Sequence, residues 1–192
     1  MRKLIVCNIV SLDGYFTGPD DNVMVMPFDV GFDEYNAERL RAASTLLLGR
    51  KSFEGFRDYW PSVAANTEAP EVEREISRLN SAIDKVVVSD TLTAADTSPW
   101  DNSEIVARAG AHARVQELKE RDGGDILVFG SRILWNDLLR AGLVDELHLM
   151  IGAGVIGEGV KAFDERPLLR LIGTRTWEES GLVLARYATH RA

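Results

Sequence analysis

Residues 45–57 read Thr-Leu-Leu-Leu-Gly-Arg-Lys-Ser-Phe-Glu-Gly-Phe-Arg, and the reading of this stretch decides the fold. Leu46, Leu47 and Leu48 make a short unbroken apolar run, the pattern of a strand buried on both faces of a sheet. Gly49 permits a sharp turn, and Arg50 to Phe56 has the composition of a helix start. Two cations, Arg50 and Lys51, then fall in the first helical turn, where the positive end of the helix dipole disfavours them. Their placement makes sense if an anion docks there. Exposed backbone N–H groups, the two cations and the Ser52 hydroxyl would together hold a phosphate. Taken alone, the stretch is equally well explained as a strand, a turn and a helix with two solvated cations.

Further along, Asp125-Ile-Leu-Val-Phe-Gly130 repeats the pattern of apolar strand and then glycine. A helix over 131–141 follows at once, with Leu134 and Leu138 on one stripe, Trp135 and Leu139 beside it, and Gly142 as its C-cap. Ser131 again supplies a hydroxyl and Arg132 a cation in the first turn. Two such corners in one chain suit a ligand with phosphates at more than one contact point. A pyrophosphate-linked dinucleotide is the commonest cofactor of that kind.

The remaining stretches fill in an α/β chain. Residues 2–10 read as the first strand, running into a long loop over 11–22 whose Gly14, Gly18 and Pro19 are turn residues. Asp13 in that loop is accounted for by turn hydrogen bonds, with ligand contact as the alternative. A helix is predicted over 33–43, where Asp33 and Glu34 suit the dipole, and another over 70–80 with Pro70 in its first turn. Short strands are predicted at 85–89 and 104–107, a charged helix at 111–121, and a strand at 144–151. His148 reads as a strand histidine with a local partner. Gly152–Gly159 is glycine-rich but leads into no helix, so it reads as a tight connection or a substrate-facing loop. Strands at about 168–177 and 182–188 close the chain as an antiparallel hairpin. The expected architecture is a mixed, mostly parallel sheet flanked by helices on both faces, in one domain spanning residues 1–192.

Composition narrows the partners. The net charge is −8, with a pI near 5.0, which argues against a nucleic-acid or anionic-membrane partner. Cys7 is the only cysteine and lies in an apolar run, so a small core residue is expected and an intrachain disulfide is excluded. His112, His148 and His190 have no metal-ligand spacing, and no structural metal is expected. Arg2-Lys3 followed by Leu4-Ile5-Val6 reads as a strand rather than a signal peptide, and no segment has the apolar length of a membrane span. The cytoplasm is the default location and a homodimer the default assembly.

The ordered set of motifs resembles the dihydrofolate reductase superfamily. More closely it is similar to the riboflavin-pathway reductase branch, the C-terminal domain of the bifunctional deaminase-reductase. The matching pieces are Ser11-Leu12-Asp13-Gly14, Leu47-Leu48-Gly49-Arg50-Lys51-Ser52-Phe53-Glu54 and Tyr59-Trp60-Pro61. Val86-Val87-Val88-Ser89, Gly130-Ser131 with Leu134, Gly142 to Leu147, and Gly157-Glu158-Gly159 before Phe163 continue in family order. The zinc motif of the deaminase is absent.

The resemblance implies a dihydrofolate reductase-like fold and an NADPH-dependent reductase acting on a small pyrimidine or pterin. The riboflavin-pathway 5-amino-6-(5-phosphoribosylamino)uracil is one such substrate. It implies that Gly49, Arg50, Lys51 and Ser52, with Gly130, Ser131, Arg132, Ile133 and Leu134, hold the cofactor phosphates. Ser89 and Asp90 would border its adenosine end, and the 12–22 loop would close over the nicotinamide with Thr17 and Gly18 at the carboxamide. Asp90 is a departure from the family pattern. A carboxylate there repels a 2′-phosphate and favours NADH, whereas Arg50 and Lys51 favour NADPH. Asp33, sixteen residues before Gly49 (49 − 33), and Asp13 are the two candidate carboxylates for the substrate's amino-nitrogen edge. The alternative to an enzyme is a non-catalytic nicotinamide-nucleotide-binding module or sensor.

Overall fold

The computed structural model describes residues 1–189, so His190 lies outside the described residues. In chain order the elements begin with β1 (Leu4–Val10), β2 (Tyr15–Thr17), α1 (Val30–Ala42), β3 (Ala43–Gly49), α2 (Arg50–Val63) and α3 (Glu71–Ala82). They continue with β4 (Asp84–Val88), β5 (Ser103–Val106), α4 (Ala111–Glu120), β6 (Asp125–Phe129) and α5 (Arg132–Arg140). The chain then forms β7 (Glu146–Ile151), β8 (Val160–Lys161), β9 (Leu169–Thr176) and β10 (Val183–Thr189).

Period-two alternation inside the apolar runs sets the layering. In β1, Leu4 and Val6 join one core, and Ile5, Cys7 and Ile9 the other. Leu47 of β3 opposes Leu46 and Leu48 in the same way, and Ile126 and Val128 of β6 oppose Leu127 and Phe129. Strands buried on both sides need a cover on both sides. On the Ile5 face, α1, α2 and α3 supply it through Tyr35, Leu40, Phe53 and Ile76. On the Leu4 face, α4 and α5 supply it through Val115, Leu118, Trp135 and Leu138.

Eight strands form the main sheet in the order β5-β4-β3-β6-β1-β7-β10-β9. All pairings from β5 through β7 are parallel, whereas β10 runs antiparallel to both β7 and β9. This is the mixed, mostly parallel sheet with helices on both faces and a C-terminal hairpin that the sequence implies. Among the described residues, no helix is long and apolar enough to cross a membrane.

The structure corrects two local expectations and fixes the end of one helix. Helix α1 begins at Val30 rather than Asp33, because Asp29 caps it: Asp29 Oδ1 accepts from the Gly31 N–H at 2.9 Å, and Oδ2 accepts from the Ser180 hydroxyl at 2.7 Å. Helix α2 runs on through Pro61 to Val63, the proline falling in its last turn, where little helix remains to disrupt. The 11–22 loop is not wholly irregular, since Tyr15–Thr17 pairs with Val160–Lys161 as a second, two-stranded sheet. Gly159 makes that pairing feasible. It has φ +129°, and a Cβ there would lie 2.2 Å from the Thr17 carbonyl oxygen.

Candidate active site

Strands β3 and β6 are parallel neighbours, so Gly49, which ends β3, and Gly130, which follows β6, open on the same edge of the sheet. The two corners are also bonded to each other. The Gly49 N–H donates to Ser131 Oγ at 2.9 Å, and the Ser131 N–H donates to Ser52 Oγ at 2.8 Å. Each hydroxyl accepts in this exchange and keeps its own proton to donate outward. Asn8 of β1 fixes the second corner from below: its Oδ1 accepts from the Gly130 N–H at 2.6 Å, and its Nδ2 donates to the Gly130 carbonyl at 3.3 Å.

Gly130 and Ser131 are both left-handed, at φ +57° and +54°, and the chain enters α5 directly after them. Neither α2 nor α5 has a side-chain cap or an acidic residue in its first turn. The first N–H groups of both helices therefore converge on one edge with no internal acceptor, an arrangement suited to anionic oxygens.

Cations gather at the first corner. The Arg50 guanidinium lies 3.3 Å from Glu54, and Lys51 reaches Asp21 of the 11–22 loop at 3.0 Å. Arg132 turns away from the corner to the Lys161 carbonyl and the Asp164 carboxylate. Its side chain is therefore not free to meet a phosphate, and the second corner offers backbone N–H groups and the Ser131 hydroxyl instead. Ile133 is 77% exposed beside them, while Leu134 packs inward and presents only its backbone.

Gly49 lies beside Val88 in the register of β3 and β4, which brings Ser89 and Asp90 next to the first corner. Ser89 Oγ accepts from the N–H groups of Thr91 and Leu92. Asp90 accepts from the Arg108 N–H at 2.9 Å and lies 3.4 Å from the Arg108 guanidinium, so its charge is countered. The Gly18 N–H is engaged by the Asn22 carbonyl at 3.0 Å, which leaves the buried Thr17 hydroxyl, with no partner among the described residues, as the free polar group of that pair.

The two candidate carboxylates make no contact with each other and differ in character. Asp13 ties the loops together: it accepts from the Ser11 hydroxyl at 2.6 Å, the Gly157 N–H at 2.8 Å and the Ile156 N–H at 3.2 Å. The Ser11 hydroxyl above all, then those amides, holds its carboxyl down at about 2. Asp33 lies in the first turn of α1, on the stripe that continues into the buried Asn36 and Ala37, and no described residue donates a hydrogen bond to its carboxylate. Burial, and then the Glu73 and Asp29 charges, pushes its carboxyl up to about 6. A carboxyl in that range can hold or release a proton near neutral pH.

His148 has the local partners expected of a strand histidine, with Nδ1 2.8 Å from the Tyr35 hydroxyl and Nε2 2.8 Å from Glu146. Cys7 is buried, and burial pushes its thiol up to about 12, so it stays protonated and unreactive.

A family model for the RibD C-terminal domain matches residues 2–183. The chain belongs to that family. Among its relatives is the uncharacterized protein YyaP of Bacillus subtilis, 33% identical over 187 residues, covering 95% of this chain and 92% of YyaP. A solved structure of a putative riboflavin biosynthesis protein from Shewanella sp. PV-4 has a TM-score of 0.65 at 19% identity, covering 98% of this chain and 99% of that one. The Thermotoga maritima diaminohydroxyphosphoribosylaminopyrimidine deaminase/5-amino-6-(5-phosphoribosylamino)uracil reductase has a TM-score of 0.68 at 12% identity. There 98% of this RibD C-terminal domain covers 57% of the bifunctional chain. Enterococcus faecalis dihydrofolate reductase, solved as a complex with NADP(H), has a TM-score of 0.58 at 12% identity, covering 97% of this chain and 96% of that one. These likenesses establish the dihydrofolate reductase-like fold.

Proposed function

We propose that the chain is an NADPH-dependent reductase of a small amino-heterocycle of the pyrimidine or pterin type. The observation that carries this reading is the bonded pair of corners at Gly49 and Gly130, two uncapped helix starts opening on one edge of the sheet. The residues fit the cofactor. Arg50 and Lys51 flank the first corner, and the backbone of Arg132, Ile133 and Leu134 lines the second. A side chain at Gly130 would close the cradle, since a Cβ there would meet Ser52 Oγ at 2.7 Å. When bound, the reduced nicotinamide supplies the hydride, and this chain aligns the reactants and excludes water.

Asp33 is the proposed substrate carboxylate, binding the amino-nitrogen edge and holding a proton close to neutrality. Asp13, with its lone pairs engaged by three donors, is assigned to loop positioning.

The Asp90–Arg108 pair supports NADPH over NADH. With its charge countered, Asp90 repels a 2′-phosphate less, and the exposed Arg108 guanidinium stands beside it. Arg108→Ala is expected to weaken NADPH about tenfold and leave NADH within about twofold, read by fluorescence titration.

Turnover tests the reading directly. Addition of a diaminopyrimidine or a dihydropterin to protein and NADPH is expected to give steady loss of NADPH absorbance at about 1 s⁻¹ or faster. Tight NADPH binding without turnover across the panel would favour a non-catalytic module.

A further inference from the structure

A cavity of about 530 Å³ lies at the end of the sheet opposite the two corners. Asp125, which begins β6, lines it, whereas Gly130 follows the end of the same strand, so about 16 Å separates the two. Strand pairing builds the floor. Cys7, His148, Arg186 and Gly173 fall in one row across β1, β7, β10 and β9, on the face that carries Ile5. Helix α1 covers that row, its Tyr35 hydroxyl meeting His148 Nδ1 at 2.8 Å. A Cβ on Gly173 would lie 2.5 Å from Arg186 Nη2, so the guanidinium rests in space that only a glycine inside the strand leaves open.

Arg2, Lys3, Arg39 and Arg186 line the cavity against two carboxylates, Asp125 and Glu146. Glu146 is already held by Lys3 at 2.6 Å and by His148 Nε2 at 2.8 Å. Arg2 donates to the Ser44 and Thr45 hydroxyls and the Gly124 carbonyl. Glu38, beside Arg39 on α1, pairs with Arg175. An adjoining hollow adds Arg170, and Asp145, which Lys119 holds at 2.5 Å. Two guanidiniums are left over. Arg39 lies over the Tyr35 ring, 5.3 Å from its centroid, and its Nε is shut off from solvent with no acceptor. Arg186 has no hydrogen-bond or ion-pair partner among the described residues. Burial lowers the proton affinity of His148, which therefore adds no charge at neutral pH. Four cations against two carboxylates leave two positive charges on one cleft of a chain whose net charge is −8.

We propose that this cleft binds a small phosphate monoester, with Arg39 and Arg186 as its guanidinium ligands, at a site separate from the two corners. The inference stands independently of the reductase reading. Guanidinium forks match phosphate oxygens in pairs, and a phosphate dianion balances the two surplus charges. The volume falls within the roughly 300–1,000 Å³ of small-molecule sites, so it has room for a carbon skeleton beyond the phosphate. Ile5 and Ile172 give that skeleton an apolar wall.

Calorimetric titration with glycerol 3-phosphate, inorganic phosphate and succinate tests this. The expected result is one glycerol 3-phosphate per chain, bound more tightly than either other anion. Arg39→Met and Arg186→Met are each expected to weaken it about tenfold or more, and Arg50→Ala, at the first corner, to leave it within about twofold. An independent readout needs no variant: in the wild-type chain the NMR signals of the His148 ring are expected to shift saturably with glycerol 3-phosphate while those of the exposed His112 stay in place. Absence of saturable binding, an unmoved His148 signal, or inorganic phosphate or succinate bound as tightly as the monoester each overturns the inference. So does affinity lost in Arg50→Ala and kept in Arg39→Met and Arg186→Met, which would put the anion at the corners.

Discussion

Gly130→Val is expected to abolish measurable NADPH binding and to lower the melting temperature by about 5–10 °C. Gly130 sits at φ +57°, a conformation that a β-branched residue adopts only under strain, and the added Cβ would lie 2.7 Å from Ser52 Oγ. The strain and the clash together cost about 2–3 kcal/mol. Asn8 grips Gly130 through both its N–H and its carbonyl, so the corner cannot relax without breaking those bonds. Displacing Ser52 frees the Ser131 N–H and so disturbs both corners at once. Calorimetric titration with NADPH, alongside a thermal melt, checks both halves; retained affinity in a destabilised variant would separate the corner from cofactor binding.

Asp33→Asn is expected to cut kcat/KM by about 10²–10³-fold while leaving the melting temperature at pH 7 level or higher. The sign follows from the raised affinity for a proton. Between about pH 4 and pH 6 the folded chain holds a proton on Asp33 that the unfolded chain has released, so stability falls as pH rises through that window. An amide removes the penalty of ionising a half-buried carboxyl. After screening by solvent at this half-exposed position, that amounts to about 1 kcal/mol, partly offset by the lost helix-dipole interaction. The wild-type kcat/KM is expected to fall as pH rises above about 6, as the proton leaves Asp33, and the variant to lack that limb. A pH–rate profile with a melt at each pH settles the matter. A large loss of stability in Asp33→Asn would mark the residue as structural.

The sheet was legible in the sequence because its evidence is local. Leu46–Leu48, Ile126–Phe129 and Leu4–Val10 each alternate between two cores, and a glycine after the strand announces each corner. That the two corners interlock was not legible, since the Ser52–Ser131 exchange joins residues 79 positions apart. Asn8 carries a signal of its own: it is a polar residue inside an otherwise apolar strand, and a buried amide there needs a partner. Arg108 carried none, because only the parallel register of β4 and β5 brings it to Asp90. Arg132 has the composition of a phosphate ligand at a helix start, and tertiary packing gives it to Asp164 instead. Asp29 caps α1 through local bonds from the Gly31 and Phe32 N–H groups, while the bond that holds its other oxygen comes from Ser180, 151 residues away.

The account turns on the two corners serving one ligand. Calorimetric titration of NADPH into the wild-type chain, Arg50→Ala and Ile133→Glu tests this most directly, since the two residues lie on different corners and are exposed enough to replace without unfolding. The account predicts one NADPH per chain, with each substitution weakening it by about tenfold or more. Loss confined to one variant, or no NADPH binding by the wild-type chain, would contradict it.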